Sequence, residues 1–134
     1  MAEREVGETS SLQRFVRNYQ KYEIIFEEGT NGNEMYLIYS GKVLLSVKRG
    51  KVREAKLAIL NPGDFFGEMA LVDDYHRSAT ASALEDNTQL IALDKTNFLY
   101  IVQQQPQFAL SVMHVLCQRL RDLNKRLYSE GDST

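Results

Sequence analysis

The chain has 134 residues, 43% hydrophobic and 25% charged, a size and balance that suit one folded core and exclude a disordered or fibrous chain. Sixteen basic against eighteen acidic side chains leave a net charge of −2, which gives no global attraction for nucleic acid or anionic lipid. One cysteine excludes an internal disulfide, and with two histidines and no tryptophan the supply of metal ligands and nucleophiles is thin, so binding is expected rather than catalysis, with no metal and no cofactor.

The N-terminal MAEREVGETS lacks the apolar centre of a signal peptide, and charges or glycines interrupt every apolar run short of the roughly 18 residues of a spanning helix. A cytoplasmic protein without a membrane segment is expected. Leu12, Phe15, Val16 and Tyr19 then recur at helical spacing behind Thr9 and Ser10, which predicts a short capped N-terminal helix running into a strand.

From Tyr22 to about Leu93 the texture is β-rich: EIIF, MYLIYSG, KVLLSVK, REAKLAIL, a brief DFF, SATASAL and TQLIAL, separated by glycine, asparagine and aspartate clusters. That spacing fits a sandwich or barrel. Lys48-Arg49-Gly50-Lys51 reads as a tight hairpin and Asn61-Pro62-Gly63-Asp64 as a second strong turn.

Behind Asp94, a candidate N-cap, the positions Phe98, Ile101 and Val102 return to helical spacing, and Pro106 opens a second helix that runs to about Tyr128. Leu116, Leu120, Leu123 and Leu127 form a stripe on it that can pack on the β body or on a twin helix in a homodimer. Arg119, Arg121, Lys125 and Arg126 against Asp122 make its polar side either a solvated face or an anion contact.

The segment richest in chemistry is PGDFFGEMALVDDYHRSATASA, Pro62 to Ala83. Gly67 lets a ligand approach the backbone, and Glu68 to Leu71 suit one helical turn whose N–H groups face phosphate oxygens. Arg77 brings a planar fork for two oxygens, with Ser78 and Ala79 adding a hydroxyl and close backbone donors. Glu68 would repel a phosphate, so beside one it makes sense as the acceptor for a ligand hydroxyl, such as a ribose 2′-hydroxyl. Spacing alone leaves a plain Glu68–Arg77 salt bridge equally open. A metalloenzyme of the same architecture needs two or three histidines together, and only His76 falls in the β region; His114 and Cys117 lie on the last helix, Cys117 most simply as a small buried hydrophobe.

These residues closely resemble the cyclic-nucleotide-binding domain family, shared by bacterial catabolite activator proteins, protein kinase A regulatory subunits and cyclic-nucleotide-gated channels. FGEMAL, Phe66 to Leu71, followed after five residues by RSAT, Arg77 to Thr80, is similar to the family's phosphate-binding cassette. IIFEEGTNGNEMYLIYSG, with Gly29, Gly32 and Gly41, is similar to its turn signature, and the likeness spans about residues 12 to 128.

The resemblance implies a mainly β fold, an eight-stranded double-stranded β-helix or jelly roll flanked by an N-terminal helix and two C-terminal helices. It implies one domain over 1–134, with the roll at about 22–93 and the helices at about 95–102 and 106–128. Carried over by position, Glu68 would hold the ribose 2′-hydroxyl, Arg77 the cyclic phosphate, and Gly67, Met69, Ala70, Ser78 and Ala79 the remaining cassette contacts. The base would lie against Leu45, Val47 and Leu57, with Asn124 as a polar contact from the last helix.

The implied function is a non-enzymatic, ligand-sensing regulatory module that signals by C-terminal helix movement, as a possible homodimer, to an unidentified protein effector. Ser78 fits cAMP or cGMP, with cAMP favoured. The alternatives are a ligand-free degenerate dimerisation or docking module and the sensor fragment of a transcription regulator. After Tyr128 only SEGDST follows, so direct DNA binding is not expected of this sequence.

Overall fold

Among the described residues eight antiparallel strands form two four-stranded sheets: β1 (Val16–Tyr19), β2 (Ile24–Phe26), β3 (Glu34–Ser40), β4 (Val43–Arg49), β5 (Arg53–Leu60), β6 (Phe65–Phe66), β7 (Thr80–Ala83) and β8 (Thr88–Asp94). The strand orders are β1-β8-β3-β6 and β2-β7-β4-β5. This is a computed structural model in which residues 12–49, 53–73 and 76–133 are described. The chain divides into one unit ending at Lys95, which holds all the strands, and a second from Thr96 onward.

Alternation along the strands builds the core. Tyr36 and Ile38 on β3, with Leu90 and Ala92 on β8, turn inward toward Val43 on β4 and Ala81 on β7, and Phe66 joins them. Each large apolar side chain buried this way contributes roughly 1.5–3 kcal/mol. Ala81 and Ala83 are wholly buried, and their small size leaves room for the aromatic rings of Phe26, Tyr36 and Phe66.

The Asn61–Asp64 turn forms as the sequence predicts. Asp64 N donates to Asn61 O at 2.9 Å, the Asp64 carboxylate accepts from Asn61 N at 2.8 Å, and Gly63 takes a φ of +93°. The β4–β5 hairpin also forms, with Arg49 opposite Arg53, although Gly50 and Lys51 of its predicted turn lie outside the described residues.

The N-terminal helical spacing breaks off earlier than the sequence predicts. Among the described residues helical geometry there is confined to Leu12 and Gln13, and Val16–Tyr19 is a strand whose register on β8 runs from Val16 opposite Ile91 to Tyr19 opposite Thr88. Thr9 and Ser10, the expected cap, lie outside the described residues. The helical spacing misleads because a four-residue strand with half-buried ends and exposed Arg17 and Asn18 shares the same apolar positions. The open edge of β8 supplies ladder bonds that one isolated helical turn lacks.

In the second unit, α1 (Lys95–Gln104) and α2 (Gln107–Ser133) are joined at Gln105 and Pro106. Gln105 N donates to Ile101 O at 2.8 Å, Ala109 N donates to Pro106 O at 3.1 Å, and the Phe98 and Phe108 rings meet at 5.6 Å. Both helices run a little past the predicted ends. Leu120, Leu123 and Leu127 are exposed along α2. Cys117 is exposed as well, against the expectation of a small buried hydrophobe, on a helix whose leucines at 120, 123 and 127 are also exposed. No helix among the described residues is long and apolar enough to cross a membrane.

Candidate anion site

Arg77 is the centre of the site, and its backbone is strapped to the turn between β2 and β3. Arg77 N donates to Thr30 O at 2.8 Å, and Gly29 N donates to Arg77 O at 2.7 Å. The side chain then runs inward: Nη2 donates to Glu34 O at 2.8 Å and Nη1 to Gly67 O at 3.3 Å. The guanidinium carbon sits 4.1 Å from the centre of the Phe26 ring and 5.8 Å from that of Tyr36, within cation–π range.

Two glycines make the slot that admits this group. A Cβ on Gly32 would fall 2.3 to 2.5 Å from Nη2, Nε and Cζ of Arg77, and one on Gly67 would fall 2.8 Å from Nη1. Gly67 also takes a φ of +76°, which an L side chain adopts only at a cost. Gly32 was legible as a turn residue. Its partnership with Arg77 was not, because the arginine arrives from 45 residues further along the chain.

Electrostatically the arginine is incomplete. It is 7% exposed, its Nε is buried without a hydrogen-bond partner, and both of its bonds go to neutral carbonyls. Burial lowers its pKa from the ordinary arginine value, opposed by the fields of Tyr36 and Glu34. A cation held out of water without a carboxylate partner is costly, and the cost falls when an anion reaches it. The Glu68–Arg77 salt bridge left open by spacing does not form.

Of the cassette residues, Gly67 meets this group directly, its carbonyl accepting from Arg77 Nη1. Gly67 opens a 3-10 turn over Glu68–Leu71, closed by Ala70 N to Gly67 O at 3.2 Å and Val72 N to Met69 O at 3.1 Å. Glu68 and Ala70 are half-buried, Met69 and Ser78 are exposed, and Ala79 is buried where the chain enters β7. Leu45 packs on the core from β4, and Val47 pairs with Ala55. The register slips between Leu45 and Ser46, so Leu57 is the extra residue of a β-bulge and stays 53% exposed. Asn124 is exposed on α2 in the second unit.

Sequence reasoning missed three supports of Arg77: Phe26, Glu34 and Tyr36. Phe26 and Tyr36 read as ordinary core aromatics, and Glu34 contributes its main-chain oxygen, which no residue type advertises. Tyr36 O–H donates to Glu34 Oε1 at 3.1 Å, and the Arg17 fork donates to both Glu34 oxygens at 2.9 and 2.6 Å. Hydrogen bonding to Glu34 raises the Arg17 pKa above its ordinary value.

Burial, then the Glu34 charge, pushes the Tyr36 pKa up to about 12. Since the folded value lies above the unfolded one, the stability linked to neutral Tyr36 is fully present below pH 10 and is lost as pH rises through about 12. A phenolate titration at 295 nm is expected to show one late tyrosine that Tyr36→Phe removes, and an unchanged curve in that variant would refute the assignment.

A separate shallow cleft of about 320 Å³ is lined by Ile24, Glu27, Glu28, Lys48 and Thr80. Alternation puts Thr80 on the opposite face of β7 from Ala81. Two carboxylates against one lysine make that cleft a poor anion site. Its internal bonds, Glu28 N to Thr80 Oγ1 and Lys48 N to Glu28 Oε1, both 2.9 Å, instead tie the segment after β2 to β7 and β4.

A two-sheet roll holding a buried arginine between two glycines, with no carboxylate bonded to it among the described residues, has the makings of an anion-binding β-roll. The chain belongs to the cyclic nucleotide-binding domain family, whose sequence profile matches residues 16–105. It is 40% identical over 111 residues to the cyclic AMP receptor protein of Thermus thermophilus, covering 83% of this chain and 51% of that one. It is 36% identical over 80 residues to human Rap guanine nucleotide exchange factor 3, covering 60% of this chain and 8% of that one.

Among solved structures, the Thermus thermophilus catabolite activator protein superposes with a TM-score of 0.76 at 38% identity, over 90% of this chain and 56% of that one. The cGMP-bound form of the EAL enzyme Bd1971 gives 0.59 at 40% identity, over 79% and 28%. The chain spans about half the length of the curated bacterial cAMP regulators it matches.

Proposed function

We propose that this chain is a cyclic-mononucleotide sensor that acts by binding rather than by catalysis and prefers cAMP to cGMP. The observation that carries the reading is Arg77: a buried guanidinium with an unpaired Nε, wedged between Gly32 and Gly67 and bonded among the described residues to neutral carbonyls alone. A singly charged cyclic phosphate supplies the missing anion. Glu68, half-buried on the adjoining turn, accepts the ribose 2′-hydroxyl. Gly67, Met69, Ala70, Ser78 and Ala79 complete the cassette, Leu45, Val47 and Leu57 take the base, and Asn124 contributes from α2.

Ser78 suits either nucleotide, and relatives named for cAMP together with a solved relative described as cGMP-bound leave room for both. Output runs through movement of the C-terminal helix, whose exposed leucine stripe gives a homodimer seam, to a protein effector in the cytoplasm.

Parallel calorimetric titrations with cAMP and cGMP test the preference, with hydrogen exchange on residues 107–133 and sedimentation read on the same samples. Tighter cAMP binding, altered protection of the helix and a dimer mass are expected. Equal or reversed affinities defeat the preference, unchanged protection defeats helix signalling, and a monomer mass defeats the seam.

A further inference from the structure

The Arg17–Glu34 ion pair lies at the mouth of the same interior face that holds Arg77. Strand alternation places Glu34 on the face of β3 that carries Tyr36 and Ile38, and Tyr36 O–H bonds to its carboxylate. The main-chain oxygen of Glu34 already holds Arg77 Nη2 at 2.8 Å. Its carboxylate, joined to that oxygen by only a few rotatable bonds, is the one among the described residues whose charge acts on Arg77, whose Nε is unpaired. It does not go there, because both of its oxygens are taken by the Arg17 fork on β1.

We infer that Arg17 is a positioning residue that holds the Glu34 carboxylate off Arg77, so that the ligand phosphate meets a vacant cation. The inference rests on the cyclic-nucleotide reading of the Arg77 site and adds a residue outside the cassette. Its chemistry is competition between anions: a glutamate freed beside a buried guanidinium pairs with it intramolecularly and must be displaced by ligand. The Arg17 side chain is half exposed, and such a pair contributes little to folding, so its removal changes binding far more than stability.

The test is a double-mutant cycle on the full chain. Calorimetry with cAMP is expected to give about tenfold weaker binding for Arg17→Gln than for the unmodified chain, the scale of one charge-assisted hydrogen bond. Glu34→Gln keeps the main-chain oxygen and loses the competing charge, so it binds as tightly as the unmodified chain or tighter, and Arg17→Gln/Glu34→Gln regains that affinity. A merely structural role for the pair would leave the double variant as weak as the single one.

Arg17→Lys keeps the charge without the fork and is expected to lose less than Arg17→Gln, which guards against a folding failure in the latter. The Arg77 Nε–H resonance of the ligand-free protein reads the same event independently of any nucleotide. It should move in Arg17→Gln and return in the double variant, and an unmoved resonance overturns the inference whether or not ligand binds. An unmodified chain that binds neither cAMP nor cGMP overturns instead the cyclic-nucleotide reading, while the resonance still decides the role of Arg17.

Discussion

Arg77→Ala is expected to weaken cyclic-nucleotide binding by about 2–4 kcal/mol, at least thirtyfold in affinity, while leaving the ligand-free protein folded. The loss is large because phosphate recognition by a planar fork happens out of water, where a charge-assisted bond is strongest. The fold survives because Arg77 works against itself in the empty state. Its two carbonyl bonds and the Phe26 stacking stabilise it, whereas a 7% exposed cation with an unpaired Nε is penalised by lost hydration. The two terms nearly offset.

Arg77→Lys should rescue little. An ammonium is a point charge that cannot span the Gly67 and Glu34 oxygens and still present a donor to the ligand. Calorimetry on the three proteins, with circular dichroism as the folding control, decides the matter. Equal affinity in Arg77→Ala and the unmodified chain would remove Arg77 from the site.

Gly41→Ala is expected to cost about 3 kcal/mol or more of folding stability, the largest effect of any single methyl considered. Gly41 links β3 to β4 with a φ of +88°, and an L side chain there is strained by roughly 1–2 kcal/mol. The added Cβ would also stand 2.7 Å from Thr88 Cα and 2.3 Å from its hydroxyl oxygen. Thr88 is wholly buried, pairs with Tyr19 on β1 and donates its hydroxyl to Glu85 O at 2.8 Å, so it has no direction in which to yield.

The comparison that isolates the clash is Gly63→Ala, where φ is +93° but a Cβ meets nothing within 4 Å. That variant carries the strain alone, about 1 kcal/mol. Urea denaturation of both should separate them by about 2 kcal/mol or more, and coincident midpoints would show that the Thr88 contact relaxes freely.

Much of the architecture was written in local patterns. REAKLAIL became β5 residue for residue, the Asn61–Asp64 turn closed on its own side chain, and the two C-terminal helices began where Asp94 and Pro106 mark their starts. Each of these depends on near neighbours: alternation, a turn residue, a helix boundary. β1 was misread because four residues cannot distinguish a helical from an extended spacing, and its partner, β8, lies about 70 residues away.

The site divides along the same line. The sequence by itself determined which residues are available to an anion: a cassette with Gly67 and Glu68 on one turn and Arg77 on a loop beyond it, in a chain of net charge −2 that has no general attraction for one. Only the tertiary structure decided that Arg77 is buried with its bonds, among the described residues, to neutral carbonyls, that Gly32 and Phe26 shape its slot, and that the Glu34 carboxylate is turned toward Arg17 instead of toward it. The reason is physical: a residue's identity fixes its charge and shape, while desolvation and pairing depend on groups brought from distant parts of the chain, and only the closed roll brings them together.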